Sequence, residues 1–525
     1  MNLSQKIDPP HSLISNKPNK LKLDRRLETN FSRTTNDVRT QAMNFLKGLE
    51  TKEPKISRLS SLIIVLLCGL AIRLAFSFYL SKFYFGTISF TFGDSFSYTE
   101  SFLNLLNYGH YTFEIGNTDA YMYRGPAYPF FWGIHYLLVG PDLAYQAVAF
   151  SQSILDTGTG LLIFLILRHL NVSNALSVIG AALYLFNPAF IVHVPITGTE
   201  TFATFITVLI IYLTITFQNS TRWLFFVGIA CAAAVLTRQY LGLLLPTVLL
   251  FLIASKNFDL GFWKKYLLKV ALVGLGFASV IGPWHVRNLV NHDTNSFLMG
   301  KTTGYSSFQE DYLAFKDLYS LYFVNITPIR NSIAFDGTNN LSATDVPYTP
   351  FGKLDVVDRL AYECGPSFLS WRGEEGYSQT QTSSLPNCKE LVVRGYAELY
   401  EQTLENSPLH FQWKQPLLNI YKAVFKDALV NPLGGWKDFI VGLIFSGRSV
   451  IVVGAFLSLF FLAKSSFNVF MLFPGALIFY ISFVARQVEM RYLTQADAVM
   501  VIFFCLLCSS LWVSIFDTIR SKTMK

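Results

Sequence analysis

The chain has 525 residues, of which 52% are apolar, 16% aromatic and only 14% charged. So few charges cannot cover the surface of a large water-exposed enzyme, and the same balance excludes a disordered, collagen-like or disulfide-scaffold protein. The formal net charge of +8 implies no nucleic-acid partner, because in an apolar chain the side of the bilayer carrying the charge matters more than the sum.

These numbers predict an all-α polytopic membrane protein. A span needs about 20 predominantly apolar residues to cross about 30 Å of hydrocarbon. Ten segments meet or approach this: 59–80, 143–167, 175–194, 201–217, 223–236, 241–254, 266–281, 450–463, 467–484 and 496–516. The fifth and sixth meet at Thr237-Arg238-Gln239-Tyr240, so one long bent helix is the alternative there. Charge placement favours two spans. With residues 1–58 inside, alternation puts Arg168, Arg222, Lys256, Lys264, Lys265, Lys269, Lys464, Arg520, Lys522 and Lys525 on the cytoplasmic side, as the positive-inside rule requires.

Four regions follow. Residues 1–58 carry 12 Lys and Arg against 6 Asp and Glu, with no apolar run, and read as a basic disordered cytoplasmic tail near anionic lipid. Residues 59–282 form an N-terminal transmembrane core that includes a first outer loop, 81–142, with interfacial amphipathic helices near 95–106 and 128–138. Residues 283–448 form a large extracytoplasmic loop, turning helical over 389–404 and 411–429, and residues 449–525 hold the last spans and a short cytoplasmic tail. Of the six cysteines, Cys68, Cys231, Cys505 and Cys508 fall in expected spans and Cys364 and Cys388 in the large loop. An isolated pair in an oxidising compartment is expected to be a disulfide. No Cys/His spacing reads as a metal site.

The outer-face polar residues carry the chemistry. Asp94, in Phe92-Gly93-Asp94-Ser95, is either the N-cap of the following helix or a general base, a carboxylate whose pKa a partly desolvated cleft raises toward the working pH. The residue alone favours the cap. Arg124, before the Gly125-Pro126 turn, offers a planar fork for phosphate or snorkels to the headgroups. Glu200 lies where the third span hands over to the fourth, as an acid on the helix dipole or a site carboxylate. Arg238, Arg287 and Arg491 gather at the same face, which runs against the charge bias and points to a bound anion, most simply a phosphate. His110, His135, His193 and His285 are read as hydrogen-bonded structural residues.

In order, these pieces resemble the integral-membrane glycosyltransferases of the C superfold, in the group of protein O-mannosyltransferases and lipid A aminoarabinose transferases. The resemblance rests on Arg73, Gly93-Asp94 with Tyr98, Arg124-Gly125-Pro126, Gly140, Thr199-Glu200, Leu236-Thr237-Arg238, Pro283-Trp284-His285-Val286-Arg287-Asn288 and Glu489-Met490-Arg491-Tyr492. It implies transfer of a monosaccharide from a polyprenyl-phosphate donor to an acceptor hydroxyl or amine at the extracytoplasmic face, with inversion. The implied catalytic residues are Asp94 and Glu200, with Arg124, Arg238, Arg287 and Arg491 on the donor phosphate and Tyr98, Glu100 and Trp284 lining the substrate site. Where the family often has two adjacent acids this chain has Asp94-Ser95, which leaves a helper role to Glu100, Glu114 or Glu200. No cofactor is implied. The implied partners are the lipid-linked donor, a protein, lipid or glycan acceptor, and membrane lipids, in a bacterial inner membrane with the site facing the periplasm.

A lipid-linked polysaccharide polymerase or ligase shares the large outer loop but is expected to lack an Asp94 motif in its first loop. A secondary transporter is expected to place its charges at the bilayer midplane on paired repeats, which are not visible here. Asn325-Ile326-Thr327 and Asn340-Leu341-Ser342 are glycosylation sequons that matter only in a eukaryotic lumen. The topology makes a direct prediction. A cysteine introduced at Ser307 reacts with an impermeant thiol reagent in intact cells and one at Ser255 does not; the reverse pattern inverts the topology.

Overall fold

A computed structural model describes residues 55–523 except 86–89, 92–93, 116–123, 255–259, 293–309, 323–328, 330–331, 334–336, 365–386, 426–435, 463–464 and 486–489. Residues 1–54 of the expected basic tail, Gly93, Ser255, Lys256, Ser307, Lys464, Glu489 and Lys525 therefore fall outside the described residues, while 55–58 open the first helix. Every regular element among the described residues is helical, and the chain is an all-α polytopic membrane protein.

The elements that frame the site are α1 (Lys55–Ala75), α2 (Ser95–Tyr108), α3 (Ala127–Val139), α4 (Ala144–His169), α5 (Asn174–Leu185), α6 (Thr199–Phe217), α7 (Thr221–Thr237), α8 (Leu244–Ala254) and α9 (Leu260–His292). They continue through α10 (Glu310–Ser320), α11 (Phe351–Glu363), α12 (Cys388–Asn406), α13 (Gln415–Phe425), α14 (Trp436–Phe461), α15 (Leu472–Phe479) and α16 (Met490–Thr523). Residues 59–511 form one compact unit.

Among the described residues six helical stretches are long and apolar enough to cross a membrane: Leu59–Phe83, Ala144–His169, Thr199–Phe217, Trp263–Asn291, Ser466–Val484 and Arg491–Ile515. The other four expected spans are present as shorter apolar helices, Asn174–Leu185, Thr221–Thr237, Gln239–Ala254 and Ser446–Phe461. The junction at Arg238 is a true break: its backbone is extended, with φ −147° and ψ 124°, before a tight turn over Gln239–Leu243. The one-bent-helix alternative is thereby removed. The seventh span differs from expectation at its end, since α9 runs through Pro283 to His292 instead of stopping near 281. A proline removes one amide donor and strains one turn, which a long helix packed on its neighbour can absorb.

Apolar burial alone cannot hold helices together in lipid, where tails are as apolar as leucine, so close backbone approach and polar pairs matter more. The packing of α7 on α9 shows the first. A Cβ at Gly228 would lie 2.1 Å from the Val273 carbonyl oxygen, and one at Gly276 would lie 2.0 Å from that of Phe225, so each helix rests its backbone on the other's glycine. Two arginine–aspartate pairs show the second. Arg73 in α1, fully buried, donates through Nε to Asp156 of α4 at 2.6 Å and through Nη1 to the carbonyls of Gly69 and Leu185. Asp156 also accepts from Tyr184. Arg448 in α14 grips Asp497 of α16 with both Nε and Nη2, at 2.7 and 2.9 Å, and donates to the Ala423 carbonyl at 2.6 Å. A lone charge at such depth is costly, and each pair is closed by further hydrogen bonds.

Within the segment after α9, α10, α11 and α12 share a small core around Phe315, Leu318, Leu354, Val392 and Tyr396. Cys364, at the end of α11, is joined to Cys388, at the start of α12, with a Cα–Cα distance of 5.6 Å. Asp358 lies at the centre of this core. Its carboxylate accepts from Tyr319 Oη at 2.5 Å, Asn339 Nδ2 at 2.6 Å and Tyr396 Oη at 2.8 Å. Burial pushes its pKa up to about 6, and Asp355 adds a like charge, while the three donors pull it back only in part.

Two predictions follow from the packing. Gly276→Ala costs about 1–3 kcal/mol of stability by overpacking against Phe225, whereas Gly274→Ala, which meets nothing within 4 Å, does not; thermal unfolding of the purified protein compares them. The sign for Asp358 is equally definite. Its folded pKa lies above the ordinary aspartate value, so the folded state holds the proton more tightly and stability falls as pH rises from about 4 to about 6. Asp358→Asn cannot ionise and flattens that limb of the melting-temperature profile.

Candidate active site

The site is assembled at helix ends, beginning with the turn into α2. Asp94 occupies the N-cap position, but its side chain makes no capping hydrogen bond. The turn is closed instead through its backbone carbonyl, which accepts from Ser97 N at 3.0 Å and Ser97 Oγ at 2.7 Å. This corrects the capping role that the residue alone favours: the carboxylate is committed elsewhere. Oδ1 faces Arg124 Nη2 and Oδ2 faces Arg491 Nη1, each at 3.2 Å. Ser95 Oγ ties the start of α2 to the loop before α6 by donating to the Thr197 carbonyl at 2.6 Å.

Arg124 is the most firmly held of the arginines in contact with Asp94. Its Nε donates to Ser97 Oγ at 2.7 Å, its Nη1 to Tyr98 Oη at 3.2 Å, and its guanidinium lies over the Tyr98 ring, 4.4 Å from the centroid. Its own carbonyl accepts from Tyr111 Oη at 2.9 Å. Gly125 is required beside it, because a Cβ there would stand 2.1 Å from the Leu236 carbonyl oxygen at the end of α7. That approach brings the Arg124 turn against the Arg238 junction.

Arg238 and Glu200 form a second pair, both about nine-tenths buried. The Arg238 guanidinium donates to Glu200 Oε1 and Thr199 Oγ1, and through Nη1 to Tyr240 Oη at 2.8 Å. Tyr240 passes a hydrogen bond to Gln495 of α16 at 3.1 Å, and Gln495 Nε2 reaches the Glu200 carbonyl at 3.4 Å. Glu200 sits in the first turn of α6, as a dipole acid would, but its charge is matched by an arginine. Arg491 also donates to Tyr492 Oη at 3.1 Å, and both Arg491 and Arg238 lie near the Tyr492 ring.

Arg287 stands one side chain away. It lies 4.6 Å from the Trp284 ring centroid, three residues before it on α9, and donates to the Tyr111 carbonyl at 2.9 Å, so Tyr111 links it to Arg124. Glu100, farther along α2, has no hydrogen-bond or ion-pair partner among the described residues, and burial pushes its pKa up. Glu200 is thus paired with an arginine of the cluster, while Glu114 lies in the loop after α2.

The electrostatics correct a second expectation. Burial pushes the Asp94 carboxyl up, but the guanidiniums of Arg124, Arg491 and Arg238 outweigh it and hold the group below the ordinary carboxylate range, not above it. At rest Asp94 is ionised and only weakly basic. Sequence reasoning passes over Ser97, Tyr111, Tyr240 and Gln495. Gln495 had a signal, falling four residues after Arg491 on one helix face. Among the described residues no group of three or more His, Cys, Asp or Glu side chains is placed to hold a metal ion.

Residues 123–284 match the family model described as dolichyl-phosphate-mannose-protein mannosyltransferase. No curated protein matches. Among solved structures, the chain aligns with the Archaeoglobus fulgidus oligosaccharyltransferase in the apo form at 14% identity and a TM-score of 0.48, over 90% of this chain and 52% of that one. The same enzyme tethered to an acceptor peptide containing the NVT sequon aligns at 14% identity and a TM-score of 0.49, over 89% and 51%. This chain thus spans about half the length of those proteins. ArnT from Cupriavidus metallidurans bound to undecaprenyl phosphate aligns at 13% identity and a TM-score of 0.34, over 87% and 77%. The family match contains Arg124, Glu200, Arg238 and Trp284, so the resemblance to membrane glycosyltransferases read from the motifs is borne out over residues 123–284, where the chain is similar to the dolichyl-phosphate-mannose-protein mannosyltransferases.

Proposed function

We propose that this protein is a membrane glycosyltransferase that moves a monosaccharide from a polyprenyl-phosphate donor to an acceptor hydroxyl at the extracytoplasmic membrane face. The observation that carries the reading is the convergence of Arg124 and Arg491 on one partly exposed carboxylate, with the Arg238–Glu200 pair alongside. Three guanidiniums are more positive charge than Asp94 and Glu200 neutralise, and the surplus suits an anion. A phosphate carrying a lipid tail fits a site built at the ends of apolar helices.

In this mechanism the acceptor oxygen attacks the anomeric carbon as the bond from that carbon to the phosphate oxygen breaks. The acceptor's proton passes to Asp94, and the charge left on the polyprenyl phosphate is met by Arg124 and Arg491, with Arg238 and Arg287 adding to the field. A single displacement inverts the anomeric configuration. Glu200 acts through Arg238, fixing its guanidinium so that the positive field does not have to reorganise during the reaction. The family match over 123–284 supports the donor class, since its description names a polyprenyl-type phosphate sugar.

The assay is transfer from labelled lipid-linked sugar in membranes. Asp94→Asn keeps the shape of the side chain but cannot take the proton, so turnover falls by about 100-fold to 10,000-fold while donor binding survives. Arg124→Ala weakens donor binding as well, and Arg124→Lys recovers only part of it because a point charge replaces a planar fork. Near-normal transfer by Asp94→Asn would remove Asp94 as the base.

A further inference from the structure

The two ion pairs of Asp94 are equal in length and unequal in strength of anchorage. Arg124 is about nine-tenths buried, and leaving Asp94 would break its bonds to Ser97 and Tyr98 and its seat on the Tyr98 ring. Arg491 is about one-third exposed, sits in the first turn of α16, and shares its guanidinium between Asp94 and the hydroxyl of its own neighbour, Tyr492. The third arginine that Asp94 feels, Arg238, is already matched by Glu200. Of the arginines paired with Asp94, Arg491 is the more exposed, at about one-third against one-tenth, and so is the one that solvent and a ligand can reach.

On the reading that the ligand is a polyprenyl phosphate, we propose that Arg491 is an exchangeable counter-ion: it neutralises Asp94 in the resting enzyme and transfers to the donor phosphate on binding, leaving Asp94 paired with Arg124 alone. The exchange has two consequences. Arg491 gains more from the phosphate as the glycosidic bond breaks and negative charge grows there, so it favours the transition state over the ground state. Asp94 loses one of the cations that suppress its basicity, so the base is armed only when a donor is present. This resolves the conflict between a carboxylate that must accept a proton and a resting site that makes it a poor acceptor. It also assigns the Glu489-Met490-Arg491-Tyr492 motif a role that joins the last span to the first loop.

The test is a double-mutant cycle on binding, with the purified full-length protein in lipid nanodiscs and undecaprenyl phosphate as the probe. Asp94 and phosphate compete for one guanidinium, so Asp94→Asn tightens binding by about tenfold, within the range usual for coupled sites. Arg491→Met weakens binding, and in that background most of the gain from Asp94→Asn disappears. Arg491→Lys, which keeps the charge, retains part of the gain. If Asp94→Asn improves binding by the same factor with and without Arg491, or does not improve it at all, the exchange is wrong while the donor reading stands. If neither wild type nor Asp94→Asn binds the probe, the donor reading itself has failed and the exchange falls with it.

Discussion

The arrangement of this protein around its site depends on one constraint: a guanidinium taken out of water must be given an anion. Arg124, Arg238 and Arg491 come from a loop, an interhelical break and the start of the last long helix, and they meet two carboxylates from two further places in the chain. Satisfying them brings together the turn before α2, the α3 entry, the start of α6, the α7–α8 junction and the start of α16. Glycine at 125 and an extended residue at 238 are the local conditions that let those backbones approach.

The same pairing serves two ends, and burial separates them. Arg73–Asp156 and Arg448–Asp497 are closed, with the carboxylates and further carbonyls supplied by neighbouring helices, and the charge in each is spent on holding helices in register. Asp94 keeps a side chain about one-third exposed, as does Arg491. A pair left partly open to solvent is cheaper to break and can be traded for a ligand, whereas a closed pair loses several kcal/mol when one member is removed.

In the proposed mechanism an acid surrounded by arginines poses a chemical difficulty, because the field assigned to the phosphate also weakens the assigned base. Both demands bear on Asp94, and distance alone does not separate them, since Arg124 and Arg491 stand equally close. What differs is burial: Arg124 is braced by Ser97 and Tyr98 and about nine-tenths buried, whereas Arg491 is about one-third exposed.

The sequence by itself determined the all-helical membrane class, the ten apolar segments and the set of charged residues that needed explaining, because apolarity over about 20 residues is a local property that each segment carries alone. It also singled out Asp94, Arg124, Glu200, Arg238 and Arg491 through motif order. Only the tertiary structure decided their partners. The Asp94 carboxylate is not a helix cap, and one of its two arginines lies 397 residues away. Helix α9 continues past Pro283 and carries Trp284 and Arg287 on one face, although Gly282-Pro283 reads as a stop. Arg73 has a partner in Asp156, which nothing near it in sequence announces. Which charge meets which is a property of pairs, set by the desolvation cost of leaving either one alone at its final depth, and depth is known only once the helices have packed.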